Sequence, residues 1–314
     1  MAEAESKEAL RVVSVSLGSP SRDHVAHAHL LGREWELERR GTGGDLKRAS
    51  ELIRELDGKV AAFGLGGIDL WLVAGGVRYP VKDAQKLARA ASKTPVVDGS
   101  GLKDTLERAA LASLERDGIL SFKGKKVGLT CAVDRFGMAE EFVKLGADVT
   151  FGDFLFILSL PIPLKTLGSV RRLARLILPI VGRLPFKMLY PTGDKQTQIL
   201  DKKLQRRFFE ENTIIAGDFL LIRRFLPTTL KGKTIVTNTV TSQDIELLRE
   251  RGLDRLVTTT PEFDGRSFGT NVMEGIFAAL GDKSPADYKR RLEELAWKPR
   301  VLDLQKSPLE SNPS

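Results

Sequence analysis

Two glycine-rich loops hold the residues of this sequence that are best suited by type and spacing to bind a ligand. Each loop follows a predicted strand and leads into a predicted helix, where unpaired backbone N–H groups favour a phosphate or carboxylate. The first covers residues 98–103 and ends at Lys103, whose ammonium group would add positive charge. The second offers the side chains of Asp264, Arg266, Ser267, Thr270 and Asn271 as donors and acceptors. Tight turns also require glycine, so structural and binding roles remain open for both loops.

Polar side chains also follow two neighbouring predicted strands. Thr237, Asn238 and Thr239 come after one strand, and the run 258–260 comes after the next. Open α/β sheets bind ligands at the carboxyl ends of their strands, where an amide and hydroxyls can contact a polyol or a ribose. Asn238 and Thr260 are therefore candidate substrate contacts, although threonine is also a common strand residue.

A third candidate is the segment 127–153, whose pattern predicts a strand, a turn, a helix and a second strand. In a dinucleotide-binding unit this turn carries three glycines at the pyrophosphate, and an acid after the second strand binds the ribose. Gly137 stands at the third glycine position and Asp153 at the acid position, but Asp134 replaces the second glycine. Its carboxylate would need compensation by Arg135 or by the helix N-terminus. The residues predicted to contact NAD or NADP are Val133, Asp134, Arg135, Gly137 and Asp153.

The positive charge of the chain is concentrated in one apolar segment between Phe154 and Tyr190. The sequence has 49 Lys and Arg against 41 Asp and Glu, a net charge of +8, and this segment contains no acid. Six of the eight excess charges are Lys165, Arg171, Arg172, Arg175, Arg183 and Lys187. Prolines divide the segment into pieces shorter than the roughly 20 apolar residues that a spanning helix needs. We therefore predict an insert that does not cross a membrane.

Part of this insert is predicted to form an amphipathic helix over residues 167–180. Its apolar stripe consists of Val170, Leu173, Ile177 and Ile180. Three arginines lie off the stripe, namely Arg171, Arg172 and Arg175. Such a helix can lie on an anionic membrane surface or present its arginines to an anionic ligand. Because apolar stripes at helical spacing usually face a core, docking on a neighbouring domain or on a second copy is the favoured interpretation.

The numbers of cysteines and histidines limit the kinds of metal site that the chain could form. A single cysteine, Cys131, excludes a disulfide framework and a multi-cysteine metal site. His27 and His29 share one face of a predicted strand, but no third strong ligand lies nearby, so no metal site is predicted. The polar N-terminus lacks a secretory signal, which favours a cytoplasmic protein. No aromatic-studded basic strand stands out, so nucleic acid is not an expected partner.

Strands alternate with helices along most of the chain, which predicts an α/β fold with open, mostly parallel sheets. We predict two domains, an N-terminal α/β domain over 1–122 and a Rossmann-like domain over 123–283. The helical insert is placed at 154–200, and a polar, loosely held tail is expected at 284–314.

Several segments carry a resemblance to a known family, among them VVSVSLGS, TPVVDGSGLKDTLER, AVDRFGMAE, LPFKMLYPTG and TTTPEFDGRSFGTNVMEG. On these segments the chain resembles a bacterial family described as quinate 5-dehydrogenase, related by name to shikimate and quinate dehydrogenases. The resemblance extends over roughly Val12 to Leu280. It implies an NAD(P)-dependent oxidoreductase that acts on a quinate-like polyol acid. No segment matches the lysine motif of shikimate dehydrogenases, so catalytic residues are not assigned.

Two functional hypotheses follow. The first is an oxidoreductase with a nucleotide at residues 133–137 and Asp153, and with its substrate at Asn238, Thr260 and the loop 266–271. The second is a non-catalytic binding or sensor protein for an anionic, nucleotide-type ligand, which uses the three insert arginines and Arg266. A homodimer or a peripheral membrane contact through the insert is compatible with either hypothesis.

Overall fold

The fold is described from a computed structural model of the chain. Its described residues are 9–74, 76–185, 199–200, 202–260, 262–263, 266–267 and 269–305. Within these ranges the chain forms two mostly parallel sheets with helices packed against them, which confirms the predicted α/β class.

The N-terminal part of the chain forms the first sheet. Its elements are β1 (Leu10–Ser16), β2 (His24–Leu30), β3 (Arg33–Gly41), α1 (Leu46–Leu56), β4 (Ala62–Gly66), the hairpin β5 (Trp71–Ala74) and β6 (Val77–Pro80), α2 (Lys82–Ala88), β7 (Val96–Val97) and α3 (Ser100–Arg116). The strand order is β2-β3-β1-β4-β7, and only β2 runs antiparallel to its neighbour. The central strand β1 is covered on both faces, because Val13 packs against α1 and Val12 packs on the opposite side.

The second sheet follows. Its elements are β8 (Lys126–Leu129), α4 (Phe136–Lys144), β9 (Asp148–Phe151), α5 (Asp153–Leu158), α6 (Leu167–Val181), α7 (Lys203–Glu211), β10 (Ile214–Gly217), α8 (Phe219–Arg224), β11 (Thr234–Thr237), α9 (Ser242–Glu250), β12 (Arg255–Thr258), the short pair β13 (Glu262–Phe263) and β14 (Arg266–Ser267), α10 (Thr270–Ala279), α11 (Pro285–Glu294) and β15 (Arg300–Asp303). The strand order is β9-β8-β10-β11-β12-β15, with only β15 antiparallel. This is a Rossmann-like order that reverses between β8 and β10, where such sheets have their ligand crevice.

The last two helices pack against the first sheet although they follow the second in the sequence. Met273, Ile276 and Phe277 of α10 and Tyr288 of α11 share a buried cluster with β1 and α3. The contact is close: a Cβ on Gly275 would lie 2.7 Å from Val12 Cγ1. Helix α10 belongs by sequence to the predicted second domain, but its apolar face packs beside the first sheet.

The segment after Lys283 is not a loose tail over its described residues. Ser284 caps α11 through a reciprocal pair of hydrogen bonds with Asp287, and β15 completes the second sheet. A loosely held tail was predicted from the polar composition of this segment. Two of its apolar side chains, Tyr288 and Leu292, lie one helical turn apart and are buried, so they anchor α11.

The insert docks on the N-terminal domain. Helix α6 buries Val170, Ala174 and Leu178 in a cluster that includes residues of the β5–β6 hairpin, and Lys82 N donates a hydrogen bond to Gly182 O at 2.9 Å. The buried face is rotated from the predicted stripe, so Ile180 is 64% exposed. No helix within the described ranges is long and apolar enough to cross a membrane.

We expect Gly275→Ala to lower the free energy of unfolding by about 1–3 kcal/mol, because the added methyl group would overpack α10 against Val12. The matched control is Gly168→Ala in α6, where the nearest atom to a Cβ is 4.0 Å away. This control should stabilise the protein by about 0.5 kcal/mol. Urea unfolding followed by circular dichroism measures both changes, and equal effects would contradict the close contact.

Candidate functional site

The candidate site lies at the carboxyl ends of the parallel strands, where the order of the second sheet reverses. Asp134 and Arg135 follow β8, and Asp218 follows β10. Asn238 follows β11, and Thr260 follows β12. Parallel strands bring these chain-distant residues to one edge of the sheet, which is the physical basis of the crevice.

The centre of this site is the guanidinium group of Arg135, which is 4% exposed. It forms an ion pair with Glu107 of α3, which is 1% exposed. Its Nη2 lies 3.2 Å from Asp218 Oδ2, and its Nε lies 3.7 Å from Asp134 Oδ2. Burial by itself would lower the pKa of Arg135, but the carboxylates outweigh burial and raise it. Arg135 therefore remains a cation that joins α3 to two strand ends.

A second ion pair lies at the rim of the crevice. Lys103 Nζ is 2.7 Å from Asp134 Oδ1, and both side chains are partly exposed. Burial opposes the charge on each group, but their mutual attraction prevails, raising the pKa of Lys103 and lowering that of Asp134. At neutral pH the pair is an ammonium group beside a carboxylate, so Lys103 is not a base. Sequence patterns did not single out this pair, which joins residues 31 positions apart.

Asp218 and Asn238 form the third part of the site. Asp218 accepts hydrogen bonds from Leu220 N and Leu221 N and so caps α8. Asn238 Nδ2 donates to Asp218 Oδ2 at 2.9 Å, and Asn238 Oδ1 accepts from Phe219 N at 3.0 Å. Thr260 Oγ1 in turn donates to Asn238 O at 3.1 Å. The structure therefore brings together Asn238 and Thr260, which the sequence predicted as substrate contacts, with Asp218, which it did not.

These groups make a crevice rich in hydrogen-bond acceptors, in which the two cations Lys103 and Arg135 meet the three carboxylates of Glu107, Asp134 and Asp218. Asp134 and Asp218 present partly exposed carboxylates. Thr260, predicted as a substrate contact, is 1% exposed, and its hydroxyl lies 3.2 Å from that of Thr239, so it supports the strand ends instead of facing a ligand. Such a set suits a ligand with several hydroxyl groups, each of which can donate to an acceptor. Among the described residues, no group of three His, Cys, Asp or Glu side chains could hold a metal ion.

The turn predicted to bind NAD or NADP does not have the arrangement that a dinucleotide needs. Asp153 is 1% exposed, and its Oδ1 accepts a hydrogen bond from Val133 N at 2.8 Å. The predicted ribose acid thus lies under the turn, where burial raises its pKa. A Cβ on Gly137 would overlap the carboxylate of Asp104, so this glycine serves the contact between α3 and α4. With Asp153 buried and Gly137 packed against α3, the turn does not fit a dinucleotide.

The predicted anion site at the start of α3 is filled by acids of the chain itself. Glu274 Oε2 accepts a hydrogen bond from Gly99 N at 2.6 Å, and its Oε1 accepts from Tyr288 OH at 2.9 Å. Asp98 accepts from Ser100 N at 3.1 Å. Burial and the nearby Asp98 carboxylate raise the pKa of Glu274 to about 7. These contacts span up to 175 residues, which no local pattern reveals.

The second glycine-rich loop is described only in part. Asp264 lies outside the described residues, and Arg266 and Ser267 form β14, which pairs with β13. Thr270 begins α10, and Asn271 Nδ2 donates to Ser14 Oγ at 2.8 Å. A Cβ on Gly64 would lie 2.7 Å from Asn271 O, so the start of α10 sits closely on the first sheet.

The three insert arginines do not form one site. Arg171 Nη2 pairs with Glu140 Oε1 at 2.5 Å, and its guanidinium lies 5.3 Å from the ring centroid of Phe136. Arg172 and Arg175 are exposed on the outer side of α6. Arg171 therefore fastens α6 to α4, whereas the other two face outward.

Two models of protein families match this chain. The model of the family described as Domain of unknown function (DUF8754) matches residues 101–304. The chain belongs to that family. A second model, Domain of unknown function (DUF8753), matches residues 11–98, so the two matches are separated by two residues at the start of α3. No curated protein sequence matches the chain.

Solved structures show only distant likeness. A glutamate dehydrogenase from Thermus thermophilus is 11% identical, with a TM-score of 0.40 over 91% of this chain and 74% of that one. A sugar-transport substrate-binding protein from Bordetella parapertussis is 12% identical, with a TM-score of 0.37 over 96% and 92%. An NAD-dependent malic enzyme from Thermotoga maritima is 13% identical, with a TM-score of 0.34 over 90% and 72%. Likeness this low carries no inference about function.

We expect Glu107→Gln to lower the free energy of unfolding by about 3 kcal/mol, because it removes a buried partner of Arg135. The control is Glu211→Gln, which breaks an exposed i,i+4 ion pair with Arg207 and should change stability by less than about 0.5 kcal/mol. Denaturant unfolding at neutral pH compares the two. Similar small losses would show that the buried pair does not support the crevice.

Glu274 predicts a pH dependence of stability. Its folded pKa of about 7 exceeds the ordinary value of 4.5, so its stabilising contribution is complete below pH 4.5 and is lost as pH rises through 7. Between these pH values, the unfolding free energy of the native protein should fall by about 3 kcal/mol relative to Glu274→Gln. Glu293→Gln, at an exposed position, should run parallel to the native protein. Parallel curves for all three proteins would rule out the titration of Glu274.

Proposed function

We propose that the protein binds a small cyclic polyol acid of the quinate or shikimate type in the crevice at the carboxyl ends of β8, β10 and β11. The observation that carries the proposal is the convergence of Asp134, Asp218 and Asn238 on one edge of the sheet, held from below by buried Arg135. Adjacent ring hydroxyls donate in pairs to such acceptors. The sequence resemblance to the quinate 5-dehydrogenase family favours the same chemical class.

The ligand carboxylate would be received at the rim of the crevice. Lys103 is a partly exposed cation, and only one of its three N–H donors is needed for Asp134. A charge-assisted hydrogen bond from Lys103 to the ligand carboxylate is stronger than a neutral one. The hydroxyl groups would then lie toward Asp218 and Asn238, which gives the ligand one orientation.

The resemblance also suggests that the activity is an NAD(P)-dependent oxidation. The residues of the β8–α4 turn do not support a dinucleotide there, because Asp153 is buried and Gly137 contacts α3. We therefore base the proposal on binding of the polyol acid and derive no step that uses the cofactor. Whether NAD or NADP binds elsewhere is a separate arm of the same experiment.

Thermal shift and titration calorimetry with quinate and shikimate test the proposal. A bound ligand at 100 times its dissociation constant should stabilise the protein by about 2.7 kcal/mol. Asp218→Asn should weaken binding at least about tenfold, because it removes a charged acceptor while asparagine still caps α8. The control is Asp303→Asn, which changes a partly exposed carboxylate paired with Arg255 on β15 and should bind as the native protein does.

The remaining ligands separate the alternatives. Stabilisation by NAD or NADP would extend the proposal to an oxidoreductase. If a nucleotide stabilises the protein and this response is lost in Arg172→Gln/Arg175→Gln but kept in Asp218→Asn, the insert is the binding site and the crevice proposal fails. Failure of both polyol acids to bind, or equal loss in Asp303→Asn, also refutes the proposal.

A further inference from the structure

The most apolar exposed surface of the described chain lies on the insert. Ile157 and Leu158 are exposed at the end of α5, Leu160 and Ile162 are exposed in the loop that follows it, and Leu176 and Ile180 are exposed on α6. Ile157 is 58% exposed and Leu176 is 74% exposed. Six of the large exposed aliphatic side chains of the described residues thus fall in this one segment of the chain, and exposed apolar surface of this extent often marks a site of interaction. We call these six residues, together with Arg172 and Arg175, the insert surface.

The loop of the insert surface is held in position at both ends. Helix α5 ends at Leu158, and Ser159 caps it with a positive φ of 56°, while its N–H donates to Phe154 O. The loop returns at Leu164, which pairs with Phe151 at the edge of the second sheet. Between these points Pro161 and Pro163 restrict the backbone. The loop therefore loses little backbone conformational entropy when its apolar side chains bind a partner.

The charge of the insert surface has one sign. No Asp or Glu occurs between Phe154 and Tyr190. Along the outer side of α6, Leu176 lies about one turn after Arg172 and about one turn before Ile180, and Arg175 directly precedes Leu176. Arg183, just beyond α6, is also exposed. This alternation of arginines with aliphatic side chains fits a partner that has negative charge at its surface and an apolar interior.

We propose that the insert surface binds the surface of an anionic lipid bilayer, with the 157–163 loop at the level of the headgroups and the arginines of α6 against lipid phosphates. A second copy of the chain fits less well, because a two-fold interface sets each patch against its own copy. Such an interface would place the arginines of one copy opposite those of the other. A bilayer of anionic lipids supplies the missing negative charge and accepts the aliphatic side chains.

Cosedimentation of the full chain with vesicles tests this proposal. The protein should bind vesicles of phosphatidylcholine mixed with phosphatidylglycerol and not vesicles of phosphatidylcholine alone, and binding should fall as salt is added. Arg172→Gln/Arg175→Gln should weaken binding about 25-fold, at about fivefold for each cation near the membrane. Leu160→Ser/Ile162→Ser should also weaken it, without changing the melting temperature because both side chains are exposed.

The matched control is Lys47→Gln/Lys59→Gln, which removes two exposed cations from the first domain. It should bind within about twofold of the native protein if the insert carries the interaction. Equal loss in the control, or equal binding to both kinds of vesicle, would overturn the proposal. So would a dimer, measured by light scattering, that dissociates in Leu160→Ser/Ile162→Ser, because a second copy would then cover the surface. None of these outcomes depends on ligand binding in the crevice.

Discussion

The arrangement of the crevice depends on one buried cation. Arg135 brings a full positive charge into a region with almost no solvent contact, and such a charge is tolerated only when carboxylates surround it. Glu107 approaches from α3, while Asp134 and Asp218 approach from the ends of β8 and β10. Each carboxylate is therefore held in place by the same guanidinium group, and the two at the strand ends face the crevice in fixed orientations. The ion pairs contribute more to this positioning than to net stability, since a buried pair gains little over an apolar replacement.

Helix α3 is the element through which the two sheets are coupled. One side of it packs against α10 and α11 beside the first sheet, and the other packs against α4. Along the second side, Lys103, Glu107 and Arg108 all reach partners that follow β8. Gly137 permits the close approach that these pairs require. A rigid-body rotation of one sheet relative to the other would separate several ion pairs at once, so the crevice is best regarded as preformed.

Local patterns in the sequence predicted the elements better than the site. The strand–turn–helix–strand pattern predicted over residues 127–153 is present as β8, α4 and β9, because it follows directly from hydrophobic periodicity. The proximity of Asn238 and Thr260 could be predicted because each follows one of two neighbouring parallel strands, β11 and β12. Glu107 and Asp218 were missed because their roles depend on Arg135, which is 28 and 83 residues away. The i,i+4 spacing of Lys103 and Glu107 was a usable signal, but by itself it indicates an ordinary exposed ion pair along one helix.

The same reasoning explains why the dinucleotide pattern was misleading and why the net charge is informative. A glycine at the start of a helix can serve a pyrophosphate or a neighbouring helix, and only the tertiary structure distinguishes the two uses. The net charge of a segment, in contrast, is fixed by its sequence and is the same before and after folding. In the crevice each cation forms ion pairs with carboxylates, so the crevice is suited to a ligand that is recognised mainly through its hydroxyl groups. The insert carries cations on its outer side without acids of its own, so its field acts over roughly a Debye length, about 8–10 Å. That division of charge is the physical reason to assign small-ligand recognition to one surface and attraction to an extended anionic surface to the other.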